Sequence, residues 1–129
     1  RRRRRCVCRP RPGLLSREPA LSTVVLCGSL ASTTAMWEPQ AASLAAFDVV
    51  RIEWPGHGGK PMIDVHGVAG LARHVLETVE GGRFSFVGLS LGGMVALHTA
   101  LEHPRRVRSL ALLDTSPAFG LDGTQPALA

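Results

Sequence analysis

Apolar positions along the chain gather into four short runs, and the polar stretches between them carry helical spacing. Thr23-Val24-Val25-Leu26-Cys27 is an apolar run ended by Gly28. Its length and β-branching predict a buried strand. A polar turn over 29–34 leads to a helix predicted over 36–46, with Pro39 in its first turn, where a missing N–H is tolerated. A second strand covers 48–53 and enters the loop Pro55-Gly56-His57-Gly58-Gly59-Lys60-Pro61, in which Gly56 and Gly58 supply the turns. Asp64 stands where an N-cap is needed. Val68, Leu71, Ala72, Val75 and Val79 then recur at helical spacing, with Arg73, Glu77 and Glu80 outside the stripe. Gly81-Gly82 ends that helix. A third strand is predicted over 83–88, a helix from Ser90 or Leu91 to His103 before Pro104, and a fourth strand over 107–113. Residues 114–129 read as loop. Strand alternates with helix, which predicts an α/β fold: a parallel sheet with helices on both faces and right-handed crossovers.

Charge changes the picture only at one end. The chain has 129 residues and a formal charge of +5. Residues 1–17 hold eight arginines and no acid, whereas the remainder holds seven basic and ten acidic residues and is net −3. A basic groove tracking phosphates is therefore not supported, and no nucleic-acid partner is expected. The division predicted is a basic, disordered tail over 1–19, a single core over 20–118, and a loop over 119–129. The chain begins with arginine, as a processed chain or a fragment would.

Cys6, Cys8 and Cys27 are an odd number with no partner spacing, so free thiols in a reducing, cytoplasmic setting are expected and no metal site. The arginine-rich start followed by an apolar run imitates a secretory leader, but Pro10, Pro12, Arg17, Glu18 and Pro19 break it. Residues 84–101 contain no charged side chain and have the length of a membrane span. Alternating Phe84 and Phe86 followed by Gly88, Ser90, Gly92 and Gly93 fit a strand, a tight turn and a new helix better, so no membrane association is expected.

The candidate chemistry lies in that turn. Gly88-Leu89-Ser90-Leu91-Gly92 is G-x-S-x-G between a predicted strand and a predicted helix, the context that gives the pentapeptide meaning. So sharp a turn needs small residues at Gly88 and Gly92 and thrusts Ser90 out at the top of the sheet. There the helix N-terminus favours developing negative charge. Ser90 is the candidate nucleophile; a serine that merely caps the helix is the plainer alternative. A tetrahedral intermediate needs two aimed N–H donors. Leu91 N–H and Ser29 N–H are the candidates, with Gly28 permitting the bend before Ser29.

The chain resembles the α/β-hydrolase fold family, and within it the 3-oxoadipate enol-lactonase group. The stretch from Ser29 through Thr33, Met36 and Trp37 to Gln40 resembles that group's oxyanion loop. Arg51-Ile52-Glu53-Trp54-Pro55-Gly56-His57-Gly58 resembles the loop after the next strand, with Glu53 where aspartate is usual. Gly88-Leu89-Ser90-Leu91-Gly92-Gly93-Met94-Val95 resembles the nucleophile elbow.

The likeness implies that the four strands are the third to sixth of eight, and that a cap and a catalytic histidine lie beyond the chain. His57, His66, His74, His98 and His103 do not occupy the position of that histidine. Asp114 ends the last strand, where some members keep the acid of the triad; a turn aspartate is the plainer reading. The expectation is a serine hydrolase acting on a small-molecule ester or enol-lactone without metal or organic cofactor. Truncation makes the chain itself inactive on this reading. A non-catalytic α/β-hydrolase-like binding protein is the alternative.

Overall fold

The computed structural model describes residues 21–119 and 125–126. The expectations for the tail, for Cys6 and Cys8, and for most of 119–129 lie outside the described residues.

Four parallel strands form the centre: β1 (Thr23–Cys27), β2 (Asp48–Ile52), β3 (Phe84–Leu89) and β4 (Val107–Leu113), in the order β2-β1-β3-β4. β1 pairs in register with β2 from Thr23–Asp48 to Cys27–Ile52 and with β3 from Val24–Ser85 to Cys27–Gly88. β3 pairs with β4 through Leu89–Leu113, after an irregularity between Phe84 and Ser85. Two α-helices connect them, α1 (Gly67–Thr78) after β2 and α2 (Leu91–Glu102) after β3.

The chain moves one way across the sheet from β1 to β2, then the other way from β2 to β3 and on to β4. Right-handed crossovers running in opposite directions must lie on opposite faces. That explains why α1 and α2 share one face while the β1–β2 connection covers the other. The first face carries the larger core, where Val68, Ala72, Val75 and Val79 join Met94, Val95 and Ala96 over Val25, Cys27, Phe84 and Phe86. The second face carries a smaller cluster of Val24, Leu26 and Trp37, with Met36, Leu44, Val49, Val87 and Leu89 against it.

The helix expected over 36–46 does not form as an α-helix. Its place is taken by two 3-10 segments, Thr34–Gln40 and Ala42–Leu44. The helical turn begins at Thr34, which puts Pro39 inside it rather than in its first turn. A proline there lacks the N–H and crowds the carbonyl four residues back, so tighter i→i+3 bonding takes over, as in Ala41 N–H to Glu38 O at 3.1 Å. Asp64 does not cap α1 either. The N-cap position is His66, with no side-chain hydrogen bond to the helix; Asp64 instead pairs with His66 Nε2 at 3.1 Å. The segment expected to be loop after β4 contains a two-residue antiparallel pairing of β5 (Ala118–Phe119) with β6 (Gln125–Pro126). Residues 84–101, of membrane-span length, are β3, a turn and α2. Among the described residues no helix is long and apolar enough to cross a membrane.

Candidate active site

The order of strands reverses between β1 and β3. In open parallel sheets the crevice at the carboxyl ends of such strands is where ligands bind, because the connections diverge to opposite faces there. β1 ends at Cys27, directly before Gly28 and Ser29, and β3 ends at Leu89, directly before Ser90. The sequence-derived candidates Gly28, Ser29, Ser90 and Leu91 therefore all meet at this one edge.

Ser90 occupies φ 52° and ψ −113°, a conformation L-residues rarely adopt. Such a residue costs about 1–3 kcal/mol and persists only where its surroundings hold it. Those surroundings are visible. Ser90 N–H donates to Leu113 O at 2.9 Å, tying the turn to the end of β4. Ser90 O accepts from Gly93 N–H at 2.9 Å, from Met94 N–H at 3.2 Å and from Thr115 Oγ1 at 2.7 Å. The backbone is thus clamped on both sides while the side chain is exposed. Among the described residues, no hydrogen bond engages Ser90 Oγ.

Glycine is required beside Ser90 by close approach. A Cβ on Gly92 would run into the carbonyl of Cys27, with its carbon at 2.6 Å, and a Cβ on Gly88 would lie 2.5 Å from Gly93 N. Both obstacles are backbone and cannot swing away. Gly92 N–H also donates to Gly28 O at 3.2 Å, so the first turn of α2 is bonded directly to the end of β1.

That carbonyl accepts a second hydrogen bond, from the buried Trp54 Nε1 at 3.1 Å. Two donors on Gly28 O fix the plane of the Gly28–Ser29 peptide, and with it the direction of the Ser29 N–H on its opposite edge. Among the described residues, neither Ser29 N–H nor Leu91 N–H has a hydrogen-bond acceptor. Ser29 N–H and Leu91 N–H are thus unengaged donors at the same sheet edge as the exposed Ser90.

The loop after β2 supports this edge. Glu53 Oε2 accepts from Thr34 N–H at 3.2 Å and from Thr34 Oγ1 at 3.0 Å, binding the start of the first 3-10 segment. Gly58 at φ 53° leaves the space this carboxylate fills, since a Cβ there would strike Glu53. Gly56 also has positive φ, 76°.

The histidines are placed elsewhere. His57 Nδ1 lies 3.0 Å from Pro55 O, and its Nε2 lies 3.1 Å from Ala31 N. His74 Nε2 lies 3.3 Å from Glu53 O. His66 pairs with Asp64 in solvent, and His98 and His103 lie in the second half of α2 and at its C-cap. None of them hydrogen-bonds Ser90. Asp114, at φ 44°, follows Leu113 and so stands level with Ser90, which follows Leu113's partner Leu89. Cys27 is fully buried beneath the elbow, and burial raises its thiol well above its ordinary value.

Sequence reasoning missed Thr115, which bonds the Ser90 carbonyl and packs where a Cβ of Gly93 would be. It also missed the Trp54–Gly28 and His57–Ala31 contacts. These partners lie 26 positions apart in both cases, and no local pattern announces such pairs; the positive φ of Ala31, 59°, leaves no mark in sequence either.

The profile of the alpha/beta hydrolase fold family matches residues 22–129, so the chain belongs to the α/β-hydrolase fold family. It is 43% identical over 84 residues to a pimeloyl-[acyl-carrier protein] methyl ester esterase of Chromobacterium violaceum, covering 62% of this chain and 31% of the esterase. The enol-lactonase from Burkholderia xenovorans LB400 superposes with a TM-score of 0.74 at 32% identity, covering 81% of this chain and 42% of that one. A hydrolase from Pseudomonas aeruginosa PA01 superposes with a TM-score of 0.73 at 35% identity, covering 78% of this chain and 40% of the other. The chain therefore spans less than half the length of each of these relatives.

Proposed function

We propose that this chain carries the nucleophile and oxyanion half of a serine hydrolase that cleaves a small ester or lactone. The observation that carries the reading is the clamped, strained backbone of Ser90 at the sheet's switch point, with its hydroxyl exposed and two free N–H donors beside it. Ser90 Oγ adds to the carbonyl carbon of the substrate, and its proton passes to a histidine base. The carbonyl electron pair moves onto oxygen and is received by Leu91 and Ser29 N–H. Collapse expels the alcohol or enol oxygen, which takes the proton from the base. Water then repeats the sequence on the acyl-serine, releasing the acid and restoring Ser90.

The likeness to the family supports a histidine base supplied from elsewhere in the whole protein, and none of His57, His66, His74, His98 and His103 hydrogen-bonds Ser90. Asp114 is the acid that orients it, at the end of β4 one strand from the nucleophile. For the substrate, the enol-lactonase likeness supports a small acidic enol-lactone, and the methyl ester esterase supports a carboxylic ester. Both are acyl–oxygen cleavages, which the same serine performs.

A fluorophosphonate probe tests the nucleophile. In the protein expressed from its full reading frame, the probe labels Ser90, and Ser90→Ala abolishes the labelling. Undiminished labelling of the alanine variant overturns the assignment. The 129-residue chain alone hydrolyses p-nitrophenyl acetate no faster than its own Ser90→Ala variant, since a serine without its base is a poor nucleophile. Failure to label in the full-length protein, together with retained affinity for an ester ligand, favours a binding protein instead.

A further inference from the structure

We propose that His57 is a positioning residue: as a neutral imidazole it clasps the loop after β1 at Ala31 and so holds the Ser29 N–H on its target. This rests on the reading of Ser90, Leu91 and Ser29 given above and adds to it a residue outside the reacting groups.

The two contacts of the ring admit a single protonation state. Pro55 O can only accept, so Nδ1 carries the hydrogen at 3.0 Å. Ala31 N–H can only donate, so Nε2 accepts it at 3.1 Å. The imidazolium would set one N–H against another at Ala31, and the other neutral tautomer would fail at both ends. A ring committed in this way is unavailable as a base and well suited as a brace.

What it braces is the turn that bears Ser29. Ser32 N–H and Ser32 Oγ both donate to Ser29 O, at 3.4 and 2.8 Å, closing a tight turn with Ala31 inside it. Ala31 sits at φ 59°, in the left-handed region that L-residues rarely adopt. The Ala31–His57 bond holds that conformation from outside the turn. Upstream, Gly28 O is already fixed by Gly92 N–H and Trp54 Nε1. Ser29 is therefore held from both sides, and His57 supplies the downstream hold.

The brace itself is rigid. His57 N–H donates to Trp54 O at 3.0 Å, Lys60 N–H donates to His57 O at 2.8 Å, and both Trp54 and Pro55 are buried. Trp54 thus contributes to both holds: its indole fixes Gly28, and its carbonyl anchors the residue that fixes Ala31.

Two near-isosteric substitutions separate this role from plain packing. His57→Gln can set its amide oxygen where Nε2 stands and accept from Ala31. His57→Asn reaches only the Nδ1 position and cannot. In the protein expressed from its full reading frame, assayed on p-nitrophenyl acetate, His57→Asn is expected to lower kcat by roughly 10- to 100-fold, somewhat less than outright loss of an oxyanion donor. KM is expected to stay nearly unchanged. His57→Gln is expected to recover most of the loss, and inhibition by an alkyl boronic acid, whose adduct places an oxygen on the same donors, to follow kcat. Equal kcat in the two variants, or a loss that moves KM and thermal stability together instead of kcat, overturns the proposal. Ser90→Ala serves as the internal reference. If it retains full turnover, the assignment of the nucleophile fails; if it is inactive while His57→Asn matches the parent, the clasp alone fails.

Discussion

Ser90 concentrates the trade-off between stability and chemistry into one residue. Its φ of 52° is unfavourable for a side chain bearing Cβ, and glycine would relieve it. Ser90→Gly is expected to stabilise the fold by about 1 kcal/mol, which for a domain of this size is roughly a 4–8 °C rise in Tm while activity is lost. A lower Tm measured by calorimetry would contradict a strained elbow. Cys27 makes a second prediction at this scale. Burial raises its thiol well above its ordinary 9.0, so the unfolded chain ionises first as pH rises. The unfolded state then binds fewer protons than the native one, and stability falls above pH 9 by up to about 1.4 kcal/mol per pH unit. Urea titrations at pH 8 and 10 on parent and Cys27→Ala check this: the alanine variant loses less stability between the two.

The elements differ in how much of them the sequence makes legible. β1, β4 and α2 are readable because each is a local pattern bounded by glycine or proline, and the elbow is readable because Gly88 and Gly92 sit at the two points of backbone contact. The 3-10 segments are not. Whether Pro39 falls in a first turn or inside it depends on where the helix begins, and Thr34 is fixed there by Glu53, a residue nineteen positions away. The cap of α1 fails for a similar reason: Asp64 spends its carboxylate on His66 in solvent. Two substitutions test these element-level claims. Gly92→Ala is expected to cost at least about 2 kcal/mol, because its Cβ meets the Cys27 backbone and strand and helix would have to separate. Glu53→Ala is expected to cost about 1–2 kcal/mol through the two lost bonds to Thr34, less than their buried value because the carboxylate is only half-buried. Chemical denaturation measures both, and a neutral Gly92→Ala would refute the close-packing account of the motif.

For the molecule as a whole, the sheet ends at two strands whose outer backbone edges are unpaired among the described residues, β2 and β4. β4 is also poorly covered on both faces, with Leu110 37%, Leu112 42% and Leu113 42% exposed. An apolar edge of this kind pairs readily with another chain. The 129-residue chain is expected to self-associate as its concentration rises, and Leu110→Lys with Leu112→Lys to shift it towards monomer in light scattering. A parent chain that stays monomeric over a hundredfold concentration range would contradict this. The resemblance of the sequence to the family, which makes these strands the third to sixth of eight, already implied open edges of this kind, whereas the run Leu110-Ala111-Leu112-Leu113 by itself reads the same whether the neighbouring layer is present or not.

The clamp on Ser90 also fixes a calendar for its assembly. Ser90 N–H is held by Leu113 O and its carbonyl by Thr115 Oγ1, partners 23 and 25 residues later in the chain. Synthesis delivers the serine, its glycines and the helix behind it before it delivers those partners, at about 5–20 residues per second. During that interval nothing from β4 can oppose the relaxation of Ser90 to ordinary backbone angles. The growing chain therefore carries a loose serine turn until those partners have been made, and the taut one is a late acquisition, made when β4 docks against β3.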